Sequence, residues 1–272
     1  MSSLDNLIIV RGGGDLATGT IYKLHQCGFP VLVLETENPS AIRRNVAFSE
    51  AVYQGSQTVE GLTCTLASSL SEAEERLKMG KLTMLVDPAG TAIDYFTPLA
   101  VVDAILAKKN LGTRRDMAPI TVALGPGFTA GVDVDAVVET KRGHNLGKVL
   151  YSGSAAPNTG IPGIIGGYGK ERVIHSPAAG ILRNVSKITD TVERGQTIAL
   201  VETINGEIPV TAAISGLLRG LIRDGYPVPK GFKIADIDPR LDELGNCFTI
   251  SDKARCIAGG VLEAVLHLRA AL

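Results

Sequence analysis

The sequence predicts an α/β fold with a mostly parallel sheet, carrying a second, small all-β unit. Three observations lead there. Short apolar runs alternate with segments of helical period from Asn6 to Leu124, as βαβ units require. A glycine turn, Gly12-Gly13-Gly14, stands where the first run passes into the first helical segment. Residues Arg172 to Glu202 match Ile208 to Asp238 at a constant offset of 36, with seven identities and no gap. At 272 residues and 45% apolar content the chain has core enough for two domains. The expected division is an α/β domain over 1–169, an inserted β-domain over 170–240, and a C-terminal helix within 241–272 that packs back on the α/β domain.

In order along the chain, Leu7 to Val10 reads as a short buried strand, and Asp15 to Cys27 places Leu16, Ile21 and Leu24 at helical spacing. Val31 to Leu34 is the next strand, after Gly28-Phe29-Pro30, which completes one right-handed crossover. Ser71 to Met79 reads as a helix and Leu82 to Val86 as a strand ending at Asp87-Pro88. Leu99 to Leu106 fits strand and helix equally, and Ile120 to Leu124 is a strand. The stretch from Leu124 to Lys170 holds 11 of the 31 glycines. Interior glycines cost a helix or strand roughly 0.5–1 kcal/mol each, so this stretch is mostly loop, with strands at Val132 to Glu139 and Lys148 to Tyr151. A loop of that length in a compact chain is usually a working surface, and it is expected to wall a site between the two domains. Near the C-terminus Ser251 can cap a helix whose Ile257, Val261, Val265 and Leu268 form one apolar stripe.

The first turn carries the most specific chemical signal. Gly12, Gly14 and Ala17 fit the G-x-G-x-x-G/A spacing of a Rossmann-like turn, whose glycines let a backbone approach a pyrophosphate. Glu35, at the end of the second strand, stands where such folds hold a ribose hydroxyl. Gly13 completes the turn, whereas Asp15 counts against a phosphate because its carboxylate would repel it. A phosphate loop running from Gly14 to Thr20 is rejected, since it lacks the lysine. Arg43, Arg44, Arg142 and His144, with Gly125, Gly127 and Asn158, would complete an anion pocket if their loops converge. The bland alternative is that the charges are solvated faces and the glycines serve only turns. No nucleophile, general base or hydride constellation announces itself, so catalytic residues stay unassigned and a non-enzymatic role is favoured.

Composition narrows the rest. With 27 basic against 28 acidic residues there is no electrostatic footprint for nucleic acid or an anionic membrane. The run from Leu7 to Val10 is too short for a signal core or a membrane span, which places the protein in the cytoplasm. Cys27, Cys64, Cys247 and Cys256 form no C-x-x-C pair, so neither a metal site nor a disulfide framework is signalled. A homo-oligomer is left open.

Two resemblances extend this reading. The halves of the 36-residue repeat resemble the flattened barrel-sandwich hybrid of biotinyl and lipoyl carrier domains, joined by the hairpin Thr203-Ile204-Asn205-Gly206. Asn205 stands where the modified lysine would be, so no such modification is expected there. The strings RGGGDLATG, LETENPSAIRRNVAFSEAVY, VVDAILAKKNLGT, APITVALGPGFTAG, ETKRGHNLGKVLYSGSAAPNTGIPG, GLLRGLIRDGYPVPKGFKIADIDPR and CFTISDKARCIAGGVLEAVL together resemble accessory proteins of the selenium-dependent molybdenum hydroxylase system. Gly13 departs from that family, where alanine is usual. The resemblance implies a maturation factor for xanthine-dehydrogenase-like hydroxylases, with the hydroxylase as partner. A nucleotide or nucleotide-bearing molybdenum cofactor would then sit between the domains. The competing expectations are an NAD(P)-dependent oxidoreductase using the glycine turn and Glu35, and a docking scaffold with no ligand.

Overall fold

The structure, a computed structural model, describes residues 4–160 and 163–272; Met1, Ser2, Ser3 and, in the glycine-rich stretch, Ile161 and Pro162 lie outside the described residues. The chain divides into two compact units. Unit 1 comprises Met1–Pro39, Ala47–Thr159 and Ile250–Leu272; unit 2 comprises Ser40–Val46 and Gly160–Thr249.

Unit 1 runs β1 (Ile8–Arg11), α1 (Asp15–Gln26), β2 (Val31–Glu35), α2 (Ala51–Gln54), β3 (Ser56–Val59), β4 (Leu62–Leu66), α3 (Leu70–Lys78), β5 (Thr83–Val86), α4 (Thr91–Phe96), β6 (Ala100–Asp103), β7 (Ile120–Leu124), β8 (Thr129–Ala130), β9 (Ala136–Val138), β10 (Val149–Leu150), β11 (Gly153–Ser154) and α5 (Asp252–Arg269). Nine of its strands form one sheet in the order β10-β9-β7-β6-β1-β2-β5-β4-β3. Strands β1, β2, β6 and β7 are continuous apolar runs because they are covered on both faces; Ile8, Ile9, Val33, Val101 and Val122 are wholly buried.

The expected Rossmann-like parallel α/β sheet is corrected here: the sheet is mixed and has few helices. Strand β3 pairs antiparallel with β4, and β10 antiparallel with β9. The physical reason at β3 is the two-residue connection Glu60-Gly61, with φ of 48° and 81°, the paired left-handed conformation that closes a tight hairpin. No α-helix covers the passage from β6 to β7, which holds only a 3-10 turn at Arg115–Met117. There Leu106 and Lys108 hold left-handed φ of 60° and 63°, which a helix cannot contain.

Helix α5 is capped by Ser251, whose side chain accepts from the Ala254 N–H, and it buries Ile257, Ala258, Val261, Ala264 and Val265. It lies against α1 at small residues: a side chain on Gly19 would start 2.8 Å from the Ala254 Cβ. Gly260, buried in the same helix, admits the backbone of Gly147.

Unit 2 contains β12 (Val173–His175), β13 (Gly180–Asn184), β14 (Thr191–Val192), β15 (Thr197–Thr203), β16 (Gly206–Thr211), β17 (Gly216–Leu221), β18 (Pro227–Val228) and β19 (Lys233–Asp238). They form two four-stranded sheets, β12-β19-β17-β14 and β16-β15-β13-β18, around Leu182, Ile198, Val201, Leu218, Ile234 and Ile237. The repeated sequence has a repeated cause. A side chain on Gly180 would strike the Glu202 carbonyl, and one on Gly216, 36 positions on, would strike the Asp238 carbonyl. Buried charges add to this unit: Asp236 pairs with Arg172 and Arg219, and Asp238 with Arg219 and Arg240.

The expected separate carrier-like β-domain is corrected as well. Unit 2 is not a self-contained insertion, because Ser40–Val46 is built into it. The Leu221 N–H donates to the Ile42 carbonyl at 2.9 Å, Arg44 Nε donates to the Leu221 carbonyl at 2.8 Å, and Gly220 has no side chain because Ile42 occupies that space. The bonds that a free-standing sandwich would satisfy within itself are here satisfied by chain that precedes it by far.

Candidate functional site

The strand order places β1 between β2 and β6, so the connection from β1 to β2 and that from β6 to β7 diverge at the carboxyl ends of those strands, the arrangement beside which open α/β sheets bind their ligands. Chemistry-bearing residues end the strands on this edge: Arg11 on β1, Glu35 on β2 and Asp103 on β6. Arg11 and Asp103 are register partners, and both are buried. They meet through a hydroxyl. Arg11 Nη1 donates to Thr113 Oγ1 at 2.5 Å, and that oxygen donates to Asp103 Oδ2 at 2.6 Å. Asp103 Oδ1 accepts from the Ile105 N–H, and Arg11 Nη2 donates to the Pro88 carbonyl. Burial raises the Asp103 pKa above the ordinary carboxylate range, against the lowering effect of Thr113, Ile105 and Arg11. This cluster ties the loop after β6 to the first strand.

Glu35 folds back onto the glycine turn. Its Oε2 accepts from the Gly13 N–H at 2.8 Å and its Oε1 from the Thr36 N–H at 2.8 Å. Burial raises its pKa, and those two hydrogen bonds act in the opposite sense. On the other side of the turn, the Ser49 N–H donates to the Gly13 carbonyl at 2.8 Å, and the Phe48 N–H donates to Thr18 Oγ1 at 3.0 Å.

The edge glycines mostly serve close packing of successive loops. A side chain on Gly12 would start 3.0 Å from the Ala104 carbonyl oxygen; one on Gly127, whose φ is 110°, would start 2.7 Å from Lys109 Cα. Gly13 is hemmed by Met84 and Ser49, and Gly125 by Thr140. Around Gly14 nothing lies within 4 Å. It precedes α1 as a cap residue without a side chain, so no side chain closes the first turn of that helix.

The remaining expected site residues are dispersed. Asp15 is half-buried in the first turn of α1. Arg43 and Arg44 belong to unit 2, where Arg43 Nη2 donates to the Asn246 carbonyl at 2.8 Å and Arg44 to Leu221. Arg142 forms a two-bond pair with Asp252 at the start of α5, at 2.7 and 2.9 Å, and this pairing raises its pKa. His144 and Asn158 are exposed. Sequence reasoning missed Arg11, Asp103, Thr113 and Ser49. A usable signal existed for two of them, since Arg11 and Asp103 each end a run of buried aliphatic residues, where an ionisable side chain needs a partner.

Among the described residues no group of three or more His, Cys, Asp or Glu side chains is placed to hold a metal ion, and no helix is long and apolar enough to cross a membrane. An open apolar groove beside the Thr203–Gly206 hairpin is lined by Ile181, Ile204, Ile208, Pro227 and Val228. Its one carboxylate, Glu202, is paired with Arg183.

No family model matches the chain. Uncharacterized protein YqeB of Escherichia coli K12 is 53% identical over 262 residues, covering 96% of this chain and 48% of that protein. The chain therefore spans about half the length of the curated relative it matches. Solved structures with some likeness include an aspartoacylase family protein from Mesorhizobium loti, with TM-score 0.31, 13% identity, and 86% of this chain and 85% of that chain covered. A succinylglutamate desuccinylase/aspartoacylase from Rhodobacter sphaeroides follows, with TM-score 0.28, 12% identity and coverages of 87% and 86%. The product-bound ectoine utilization protein EutE (DoeB) from Ruegeria pomeroyi has TM-score 0.24, 11% identity and coverages of 86% and 57%. At such TM-scores no activity is carried across to this chain. None of these matches is named as an accessory protein of the molybdenum hydroxylase system, and the resemblance drawn from the sequence strings is corrected accordingly. The maturation role and its selenium and molybdenum connections are withdrawn, and the hydroxylase partner is not carried further.

Proposed function

We propose that the chain binds a nucleotide-like small molecule at the carboxyl edge of the unit 1 sheet. The observation that supports this is Glu35 standing at the glycine turn with one backbone donor on each carboxylate oxygen. A carboxylate has about four acceptor positions, so the remaining ones suit the two hydroxyls of a ribose-like diol. Gly14 is open in the same turn, at the positive end of α1, which favours an anionic group, while the Asp15 carboxylate in that first turn opposes one. The near-neutral net charge is in keeping with a small-molecule partner rather than nucleic acid or a membrane surface, and a free nucleotide pool would place the role in the cytoplasm. Titration calorimetry of the four common nucleoside diphosphates and NAD tests the reading. Binding that Glu35→Ala weakens supports it; no heat from any of these at millimolar concentration refutes it.

A further inference from the structure

We infer that Val86 is a further ligand-contacting residue, whose side chain packs against the nucleobase of a ligand whose ribose is held by Glu35. The inference rests on the nucleotide reading above and names the part of the ligand recognised beside the diol. Strand β5 ends on Val86, and the register of β2 with β5 pairs Val86 with Glu35. The preceding register partners, Leu34 and Leu85, are buried in one core cluster on one face of the sheet. Strand side chains alternate, so Glu35 and Val86 both stand on the opposite face.

Exposure sets Val86 apart. Strands β1, β6, β7 and β9 finish on this edge in buried residues, Arg11, Asp103, Leu124 and Val138. Val86 follows three buried residues of β5, yet it is 36% exposed. It is not a loose end. The Asp87 N–H donates to the Glu35 carbonyl at 3.0 Å, and the two Asp87 carboxylate oxygens accept from the Gly90 N–H at 2.9 Å and the Ala92 N–H at 2.7 Å. The Pro88 carbonyl accepts from Arg11 Nη2. An aliphatic side chain is therefore held in the open one strand spacing, about 4.8 Å, from a carboxylate with acceptor positions to spare. A ribose with its nucleobase matches that pair: the hydroxyls need acceptors, and the flat ring needs an apolar surface.

The test uses the whole chain, native and with Val86→Ala or Glu35→Ala. It titrates the best binder among the four common nucleoside diphosphates together with its 2′-deoxy counterpart. Val86→Ala is expected to weaken both by the same factor, about three- to tenfold, the size of a small loss of apolar contact. Glu35→Ala is expected to weaken the ribonucleotide about ten- to a hundredfold and its deoxy counterpart less, since the latter lacks one of the hydroxyls. Val86→Thr keeps the branched shape, guards against an effect of alanine on the strand, and should show the Val86→Ala pattern with a smaller factor. Without ligand both Val86 variants should unfold close to the native midpoint, because an exposed side chain contributes little to the fold. Diphosphate affinity equal to native in both Val86 variants overturns the role of Val86 and leaves the diol reading standing. A Val86→Ala loss confined to the ribonucleotide also overturns it, because the side chain would then act through the sugar. A native protein that binds none of the four diphosphates overturns the inference, and the nucleotide reading falls with it if NAD also gives no heat.

Discussion

Two adjacent glycines in α5 should respond to alanine with opposite signs. Gly259 is exposed, and a side chain there meets nothing within 4 Å, so Gly259→Ala changes only the intrinsic helix preference. That is worth about 0.8–1.0 kcal/mol of stabilisation in a helix interior. Gly260→Ala brings the same preference but drives a Cβ into the Gly147 carbonyl oxygen, to within 2.9 Å of Val138 Cγ1 and 3.2 Å of the Gly147 carbonyl carbon. The obstacle is backbone and cannot rotate away. It is also anchored, by the Gly147 N–H on the Glu139 carbonyl at 2.9 Å, by Cys256 Sγ on the Leu146 carbonyl at 3.1 Å, and by the Arg142–Asp252 pair. Overpacking of this kind costs about 1–3 kcal/mol and belongs at the upper end here, so the net loss is about 2 kcal/mol. In thermal unfolding followed by circular dichroism, Gly259→Ala should raise the midpoint by about 2–4 °C and Gly260→Ala lower it by about 4–8 °C. Shifts of the same sign in both variants would refute the close approach of the Gly147 loop to α5.

Three further outcomes are expected. Thr113→Val keeps the shape of the side chain but strips Arg11 Nη1 and Asp103 Oδ2 of their shared partner, and should cost about 3–5 kcal/mol in urea unfolding; a loss under about 1 kcal/mol would show that the charges find other partners. Asp103 and Glu35 both have folded-state pKa values raised by burial, so the folded protein takes up their protons before the unfolded chain does, and their contribution grows as pH falls from neutral toward the ordinary carboxylate range and is lost as pH rises through the raised pKa. Unfolding free energies measured across that window should show this slope, and a slope unchanged in Asp103→Asn would remove Asp103 from the account. Gly180→Ala and Gly216→Ala should destabilise unit 2 alike, since each would meet a carbonyl at equivalent points of the repeat. A clear difference in their unfolding midpoints would mean that the two halves are not packed by the same rule.

Much of unit 1 was legible because burial on both faces writes itself as an aliphatic run: Leu7 to Val10, Val31 to Leu34 and Ile120 to Leu124 each contain or overlap a strand. The Ser251 cap and the periodicity that follows it were equally plain. The β3–β4 hairpin was missed because its turn is Glu60-Gly61, without the asparagine or aspartate that usually announces a tight turn, and its strands are half polar. The parallel arrangement was overextended because nothing local distinguishes a strand joined by a helix from one joined by a loop such as that carrying Leu106 and Lys108. At the site, the glycine turn and Glu35 could be read from spacing, whereas the link between Arg11 and Thr113 spans 102 positions and Arg142 finds Asp252 after 110. Arg43 and Arg44 looked like an anion pocket because a sequence records their charge and not the carbonyls that receive it.

The building of Ser40–Val46 into unit 2 also sets an order of events during synthesis. Arg44 and its acceptor, the carbonyl of Leu221, are 177 residues apart. At roughly 5–20 residues per second the ribosome needs about 10–35 s to span that distance. Throughout that interval the seven-residue segment waits without its partner strand, and α1 waits still longer for α5. Unit 2 cannot close before the residues up to Thr249 emerge, nor unit 1 before α5, so the two are expected to mature nearly together, with the nascent chain exposed for longer than one built of consecutive domains would be.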